Sequence, residues 1–467
     1  MTRDELLEMN KNFPEINHVS VDMTEANSSI KIYEGEYILK NEKNEIKLIG
    51  NIYFDWFPNS GVNFYGKPLN DTIDLFKITN EVNSYSIIID GLEFGQGFIT
   101  NTNFVSTNNS STIKGILLGN AVLGDRTIPV SKIYFSIPNL REFHGLPVKS
   151  ITEKNISVSK NRLKFEDEDF VINIDKCIDY KEREKSLKEK GGYIILYAGE
   201  LTSKKRPFSH SDIKEIFHCL NTFLTFLNGR RTSALFVKGV HDNQVIWSDY
   251  TNYFVDTYKA VQTWPQRHSI IGINELWNKF KSIWQDNDDK GFLKTLIHWY
   301  VEANGHSGFS EGSIIMAQAA LELIYNWWII EKKKLIIGKD SENISASNKI
   351  RLLLYQLNIN YDIPKGFTHL QIFLNTTDNV VDAPEAAVYI RNAIVHSQEE
   401  KRKKLSQIHY MAKYEALQLY IWYIELSLLR ILDYNDKYYN RCFKEMYSSK
   451  AEKYVPWSKN KETENGK

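Results

Sequence analysis

The chain has 467 residues, in which 58 lysines and arginines are balanced by 58 aspartates and glutamates. A length beyond the ~100–200 residues of one domain predicts two or three, and the balanced charge excludes binding of nucleic acid through an overall field, so any RNA site must rest on local charge. Three cysteines, Cys177, Cys219 and Cys442, are odd in number and far apart, which excludes a disulfide scaffold or a paired zinc site and points to a reducing cytosol.

In chain order, the opening MTRDELLEMNKNFPEINH has no apolar core of the kind a signal peptide needs. No uninterrupted apolar run approaches the ~18 residues of a membrane span, so a soluble, cytoplasmic protein without membrane contact is expected. Short β-branched and aromatic runs follow at Ile30–Leu39, Ile46–Phe54, Tyr85–Ile89, Thr112–Leu118, Lys132–Ile137, Leu163–Phe165, Phe170–Ile174 and Tyr193–Ala198. Turn residues such as Asn59-Ser60-Gly61 and Asp90-Gly91 separate them, which predicts a sandwich or a strongly bent sheet. Gly91, Gly95 and Gly97 lie among these residues and read as turn glycines, not as a nucleotide loop. Ser209 and Asp212 have capping-box spacing, Ile213, Ile216, Phe217, Leu220, Phe223, Leu224 and Leu227 recur at helical period, and Gly229 stands where a C-terminal cap belongs. Extended segments resume at Ser233–Val240 and Gln244–Trp247, and this β-rich domain closes near residue 270, around Trp264-Pro265 and Gly272.

From about Glu275 the period changes to that of helices: Ile315–Lys333, nearly apolar all round, then Ile350–Leu357, Phe367–Phe373, Ala383–Lys404 and the amphipathic Leu405–Leu432. The expected fold class is α+β with segregated halves: a β-rich N-terminal domain over 1–270, an all-α bundle over 271–447, and a loose polar tail over 448–467.

The segment that carries chemistry is Asp382–His396, DAPEAAVYIRNAIVH. Asp382 and Glu385 form a capping pair and Pro384 lies in the first turn, which fixes where the helix starts. Asn392 and His396 then share one face, with Arg391 flanking it. Arg can fork two hydrogen bonds onto phosphate oxygens, His can take or give a proton near neutral pH, and Asn can orient either partner. That set suits a phosphodiester and requires no metal, and no histidines elsewhere have metal-ligand spacing, so neither metal nor cofactor is expected. His298 and His306, on either side of a turn, stand where they could touch the site. Glu322 lies in a polar stripe with Gln318 and Asn326, and a buried carboxylate there needs a partner, for which Arg391 is the candidate; a solvent-facing edge is the equal alternative. Lys401, Arg402, Lys403 and Lys404 can attract RNA backbone, but they also complement the negative end of a helix and read first as a solvated turn. Lys204-Lys205-Arg206 reads as an exposed loop, and Tyr420, Trp422 and Tyr423 as bundle core or dimer interface.

The spacing R-N-x3-H matches the R-x4-6-H signature of HEPN domains, and the chain resembles ApeA-type antiphage proteins, which place a β-rich domain before a C-terminal HEPN domain. The domain-level resemblance covers roughly residues 275–435 and is looser before them. It implies a metal-independent endoribonuclease acting in antiphage defence by abortive infection, with Arg391, Asn392 and His396 as its site. It also implies cellular RNA as substrate, transfer RNA among the candidates, a homodimer in which two motifs face each other, and an N-terminal domain that restrains the activity until it senses a phage component. One motif histidine per chain cannot serve as both base and acid, and a two-fold axis supplies the second. The alternatives are a non-catalytic module that dimerises or binds RNA or a partner protein, and a ligand-binding β-domain with a helical oligomerisation tail.

Overall fold

A computed structural model describes residues 8, 10–69, 84–105, 110–151, 156–265, 272–305, 310–396, 398–443 and 451–459, with the backbone alone for 104, 105, 110, 401 and 402. By internal contacts the chain divides into two units, Met1–Asn221 with Thr232–Lys259, and Thr222–Arg231 with Ala260–Lys467. The division at Ala260 comes before the expected residue 270, and Thr222–Arg231 goes with the second unit.

The first unit begins with six antiparallel strands, β1 (Ile30–Lys40), β2 (Glu45–Asp55), β3 (Gly61–Pro68), β4 (Ser84–Ile89), β5 (Leu92–Val105) and β6 (Ser110–Gly124). They run in the order β3-β2-β1-β4-β5-β6, and pairing of β3 with β6, from Asn63↔Ile116 to Gly66↔Ile113, closes them into a barrel. Alternation decides what fills it: in β2, Ile46, Leu48, Ile52 and Phe54 are buried, because successive side chains of a strand point to opposite faces. Tight curvature needs glycine at close approaches. A Cβ on Gly115 would lie 2.1 Å from the Phe64 ring, and one on Gly97 would lie 2.5 Å from the Ile116 carbonyl oxygen. Gly91 sits in a turn at φ +79°, as expected, but Gly95 and Gly97 lie inside β5.

The far end of β6 pairs with β13 (Gln244–Asp249) and extends the sheet through β12 (Leu235–His241), β7 (Lys132–Pro138), β11 (Ile195–Ser203), β10 (Phe170–Lys176), β9 (Ile156–Glu166) and β8 (Leu146–Ile151). Helix α1 (Tyr180–Lys190) lays Tyr180 edge-on to Tyr197, and α2 (His210–Asn228) lays Phe217 on Phe135. The capping box is reciprocal: Ser209 N–H donates to Asp212 Oδ2 at 2.9 Å and Asp212 N–H to Ser209 Oγ at 3.2 Å. At the other end Gly229, at φ +69°, sends its N–H back to Thr225.

The second unit holds α3 (Ile273–Trp284), α4 (Asn287–Gly305), α5 (Ser310–Tyr325), α6 (Ala346–Gln356), α7 (Thr368–Thr376), α8 (Ala383–Val395), α9 (Glu399–Gln407) and α10 (Tyr410–Ile431). After α5 the chain winds as a π-helix over Asn326–Lys332. Ser310–Lys332 is the single helical run among the described residues long and apolar enough to cross a bilayer, and 56% of its 18-residue apolar stretch is buried. Two expectations change. The stretch 383–404 is two helices, because His396 adopts extended backbone (φ −87°, ψ 101°) and the carboxylates Glu399 and Glu400 favour a new helix N-terminus. The run 405–432 is not amphipathic: α10 is buried all round from Glu415 to Leu429. Within it, Glu425 meets Arg441 at 2.8 Å through Nε, and Tyr300 donates to the same carboxylate at 2.8 Å.

Of the expected tail, residues 448–450 and 460–467 lie outside the described residues. Residues 451–459 are packed: β15 (Glu452–Tyr454) pairs with β14 (Lys437–Tyr439), and Ala451 and Val455 are buried.

Candidate functional site

Helix α8 carries the motif, and its start is fixed more firmly than a capping pair requires. Asp382 Oδ1 accepts from the Glu385 N–H at 2.9 Å, while Arg351 of α6 reaches Asp382 through Nε at 2.5 Å and Glu385 through Nη2 at 2.8 Å. These charge-assisted bonds are of the strong class. They hold the Arg351 guanidinium protonated far above any working pH. Ala383, Ala386, Ala387, Ile390 and Ala393 form the buried stripe by which α8 seats in the bundle.

At the other end the polar groups are left open. Arg391 is half-buried and donates from Nη1 to Asn392 Oδ1 at 3.1 Å, whereas its Nε is buried with no hydrogen-bond partner among the described residues. No carboxylate pairs with it among the described residues. Its charge lies close enough to the buried Tyr420 to oppose the upward pull of burial on that phenol, whose hydroxyl donates to Gln318 at 3.2 Å. Asn392 lines a cleft of about 100 Å³ with Glu385, Val388, Tyr389, Ala393 and Lys404. His396 follows the last turn of α8; its backbone N–H caps the Asn392 carbonyl at 3.1 Å and its side chain is exposed. Arg391 and Asn392 are therefore joined directly, and His396 stands beyond them without a side-chain bond to either among the described residues.

Glu322 is not Arg391's partner. Its carboxylate is 46% exposed and takes Lys349 Nζ at 2.8 Å. The expected stripe comes apart because Gln318 turns into the core while Glu322 and Asn326 stay at the surface. Lys403 and Lys404 each pair at 2.8 Å with the acid one turn before, Glu399 and Glu400. Exposed pairs of this kind are worth little and exchange readily. They agree with the solvated-face reading and leave Lys404 at the cleft. The side chains of Lys401 and Arg402 lie outside the described residues. His298 accepts from Arg231 at 2.9 Å, and His306 lies outside the described residues.

Three features escape a reading of the sequence. Arg351 carries no local signal, since a lone Arg in a short helix resembles any surface Arg. Lys404 reaches the cleft only because the chain breaks at His396. His369 and His409 stack at 4.4 Å with planes 3° apart, a contact between α7 and the cap of α10 that no spacing reveals.

Residues 125–261 match the YopA central domain, and residues 286–452 match the YopA C-terminal domain. Over 437 residues the chain is 26% identical to the SPbeta prophage-derived uncharacterized protein YopA of Bacillus subtilis (strain 168), covering 93% of this chain and 96% of that protein. No solved structure matches. The central match opens directly after β6 ends at Gly124, and the C-terminal match contains the whole of α8. The chain is thus similar to YopA through both its units, and the candidate site lies within the segment similar to the YopA C-terminal domain.

Proposed function

We propose that the helical unit is a HEPN-type endoribonuclease that cleaves RNA by internal transesterification at Arg391, Asn392 and His396. The observation that carries this reading is the open end of α8: an arginine with no carboxylate partner among the described residues, bonded to the amide beside it, with an exposed histidine one turn on. An uncompensated guanidinium suits a phosphodiester, whose non-bridging oxygens it can fork. In the reaction, the ribose 2′-oxygen attacks phosphorus, its proton passes to one histidine, and the P–O5′ bond breaks. The leaving 5′-oxygen takes a proton from a second histidine. The products are a 2′,3′-cyclic phosphate and a 5′-hydroxyl.

One chain supplies one motif histidine, and it is not bonded to the Arg391–Asn392 pair, so a homodimer that pairs two α8 ends completes the acid–base set. In this reading the protein is a cytoplasmic antiphage effector, the β-rich unit senses a phage component and releases the nuclease, and cellular RNA such as transfer RNA is cut. A relative whose printed description is prophage-derived fits a setting where phages compete for one host. The same separation of His396 from Arg391 favours, as the second reading, a module that binds RNA or a partner protein without cutting.

The chemistry of the cut tests this reading. Purified protein with total RNA and excess chelator should yield 2′,3′-cyclic phosphate ends. Cleavage that depends on added Mg²⁺ and leaves other ends would overturn it.

A further inference from the structure

We infer that a row of rings running from the exposed Tyr410 and His409 through the half-buried His369 and Phe373 to the half-buried Tyr389 is a stacking rail for the bases of single-stranded RNA. It takes its ligand class from the ribonuclease reading and names the subsite beside it. The exposed Tyr410 lies against His409 at 4.8 Å, and His409 stacks face to face on His369 at 4.4 Å. His369 stands one helical turn from Phe373 on the same side of α7. Phe373 meets Tyr389 edge-on at 5.6 Å. Tyr389 and Asn392 then fall at i and i+3 on α8 and line the same cleft as Lys404, and His396 follows the last turn of that helix.

The row is therefore continuous with the candidate site. Its outer end is 71% exposed at Tyr410, so the bundle does not use that ring as core. Flat imidazole and phenol rings, in place of aliphatic side chains, suit stacked bases, because every base has a π-face and stacking is tolerant of sequence. Lys404 beside Asn392 supplies a cation that a phosphate can draw away from the exposed Glu400. His409 also caps α10, because its Nδ1 accepts the Met411 N–H at 3.2 Å. Asn can do the same without a ring.

The experiment uses the full chain and a short 2′-O-methyl oligoadenylate, which internal attack cannot cut, beside an abasic oligomer with the same phosphates. His409→Asn and Tyr410→Leu should each weaken oligoadenylate binding by about five- to a hundredfold, as expected for one lost stacking partner. The abasic oligomer should bind wild type and variants alike, Tyr410→Trp should restore affinity, and cleavage of natural RNA should show a raised KM with kcat kept. Unchanged oligoadenylate binding, or an equal loss for the abasic oligomer, overturns the rail. So does a variant that sediments as a smaller species than wild type, which would make the row an interface between copies. Ring-dependent binding by a protein that cuts no RNA keeps the rail and removes the ribonuclease reading; His396-dependent cutting with ring-independent binding does the reverse.

Discussion

Two arginines of the helical unit stand in opposite situations. Arg441, deep in the bundle, spends its guanidinium on Glu425, on Gln418 at 3.0 Å and on Asn304 at 3.3 Å. Arg391, at the open end of α8, has one side-chain bond, to its neighbour Asn392, and a buried Nε with nothing to donate to among the described residues. Arg351 at the start of α8 belongs with the first, since it grips Asp382 and Glu385. A buried cation is costly unless paired and hydrogen-bonded. Where the fold provides those partners, the arginine serves the fold. Where it leaves them out, as at Arg391, the proposed function gives the charge a phosphate to bind.

That contrast fixes an order of effects on stability. Arg441→Met leaves Glu425 buried without its cation and should cost the helical unit about 3–5 kcal/mol in chemical denaturation; a cost near zero would erase the distinction between the two arginines. Arg351→Ala removes three bonds to carboxylates and one to Asn348 at a part-buried site, and a loss of about 1–3 kcal/mol is expected, with Arg351→Lys recovering part of it. Arg391→Met should change stability by less than about 1 kcal/mol, because it takes away an unsatisfied donor as well as one bond. If it destabilises as much as Arg441→Met, Arg391 is structural. Glu322→Ala should do least, within about 0.2–1 kcal/mol, matching an exposed pair with Lys349, and should leave RNA cleavage untouched since it does not reach Arg391.

Much of this molecule is legible where local chemistry decides structure. The two capping pairs, Ser209 with Asp212 and Asp382 with Glu385, place both helix starts, and β-branched runs locate most strands. The α8 end is visible as a motif, since Arg, Asn and His at that spacing are chemically pointed. Among the described residues five strands, β3, β5, β8, β14 and β15, escape the sequence reading: Gly61 in GVNFYGKP and the glycines in LEFGQGFITNTNFV read as turns, although in β5 Gly97 answers a neighbouring strand, and β14 and β15 are three residues each. Barrel closure through β3 and β6 is a long-range pairing with no sequence period. Helix α1 escapes it too, because a polar helix with three buried residues has almost no apolar stripe. The break at His396 is hidden because no Gly or Pro stands there to mark it. Glu322 takes the solvent-facing alternative and pairs with Lys349, not with the candidate Arg391, because a helical wheel gives direction around an axis but not which neighbour stands there.

The proposed function requires Arg391 and His396 to act as chemical groups. The direct measurement is RNA cleavage by wild type, Arg391→Met and His396→Ala, each checked for unchanged melting temperature and sedimentation. Loss of cleavage by at least about a hundredfold in both, the range of a positioned acid–base or phosphate-binding group, with stability and assembly kept, is the expected result. Cleavage that persists in either folded variant would contradict that claim and leave the open end of α8 as a binding surface.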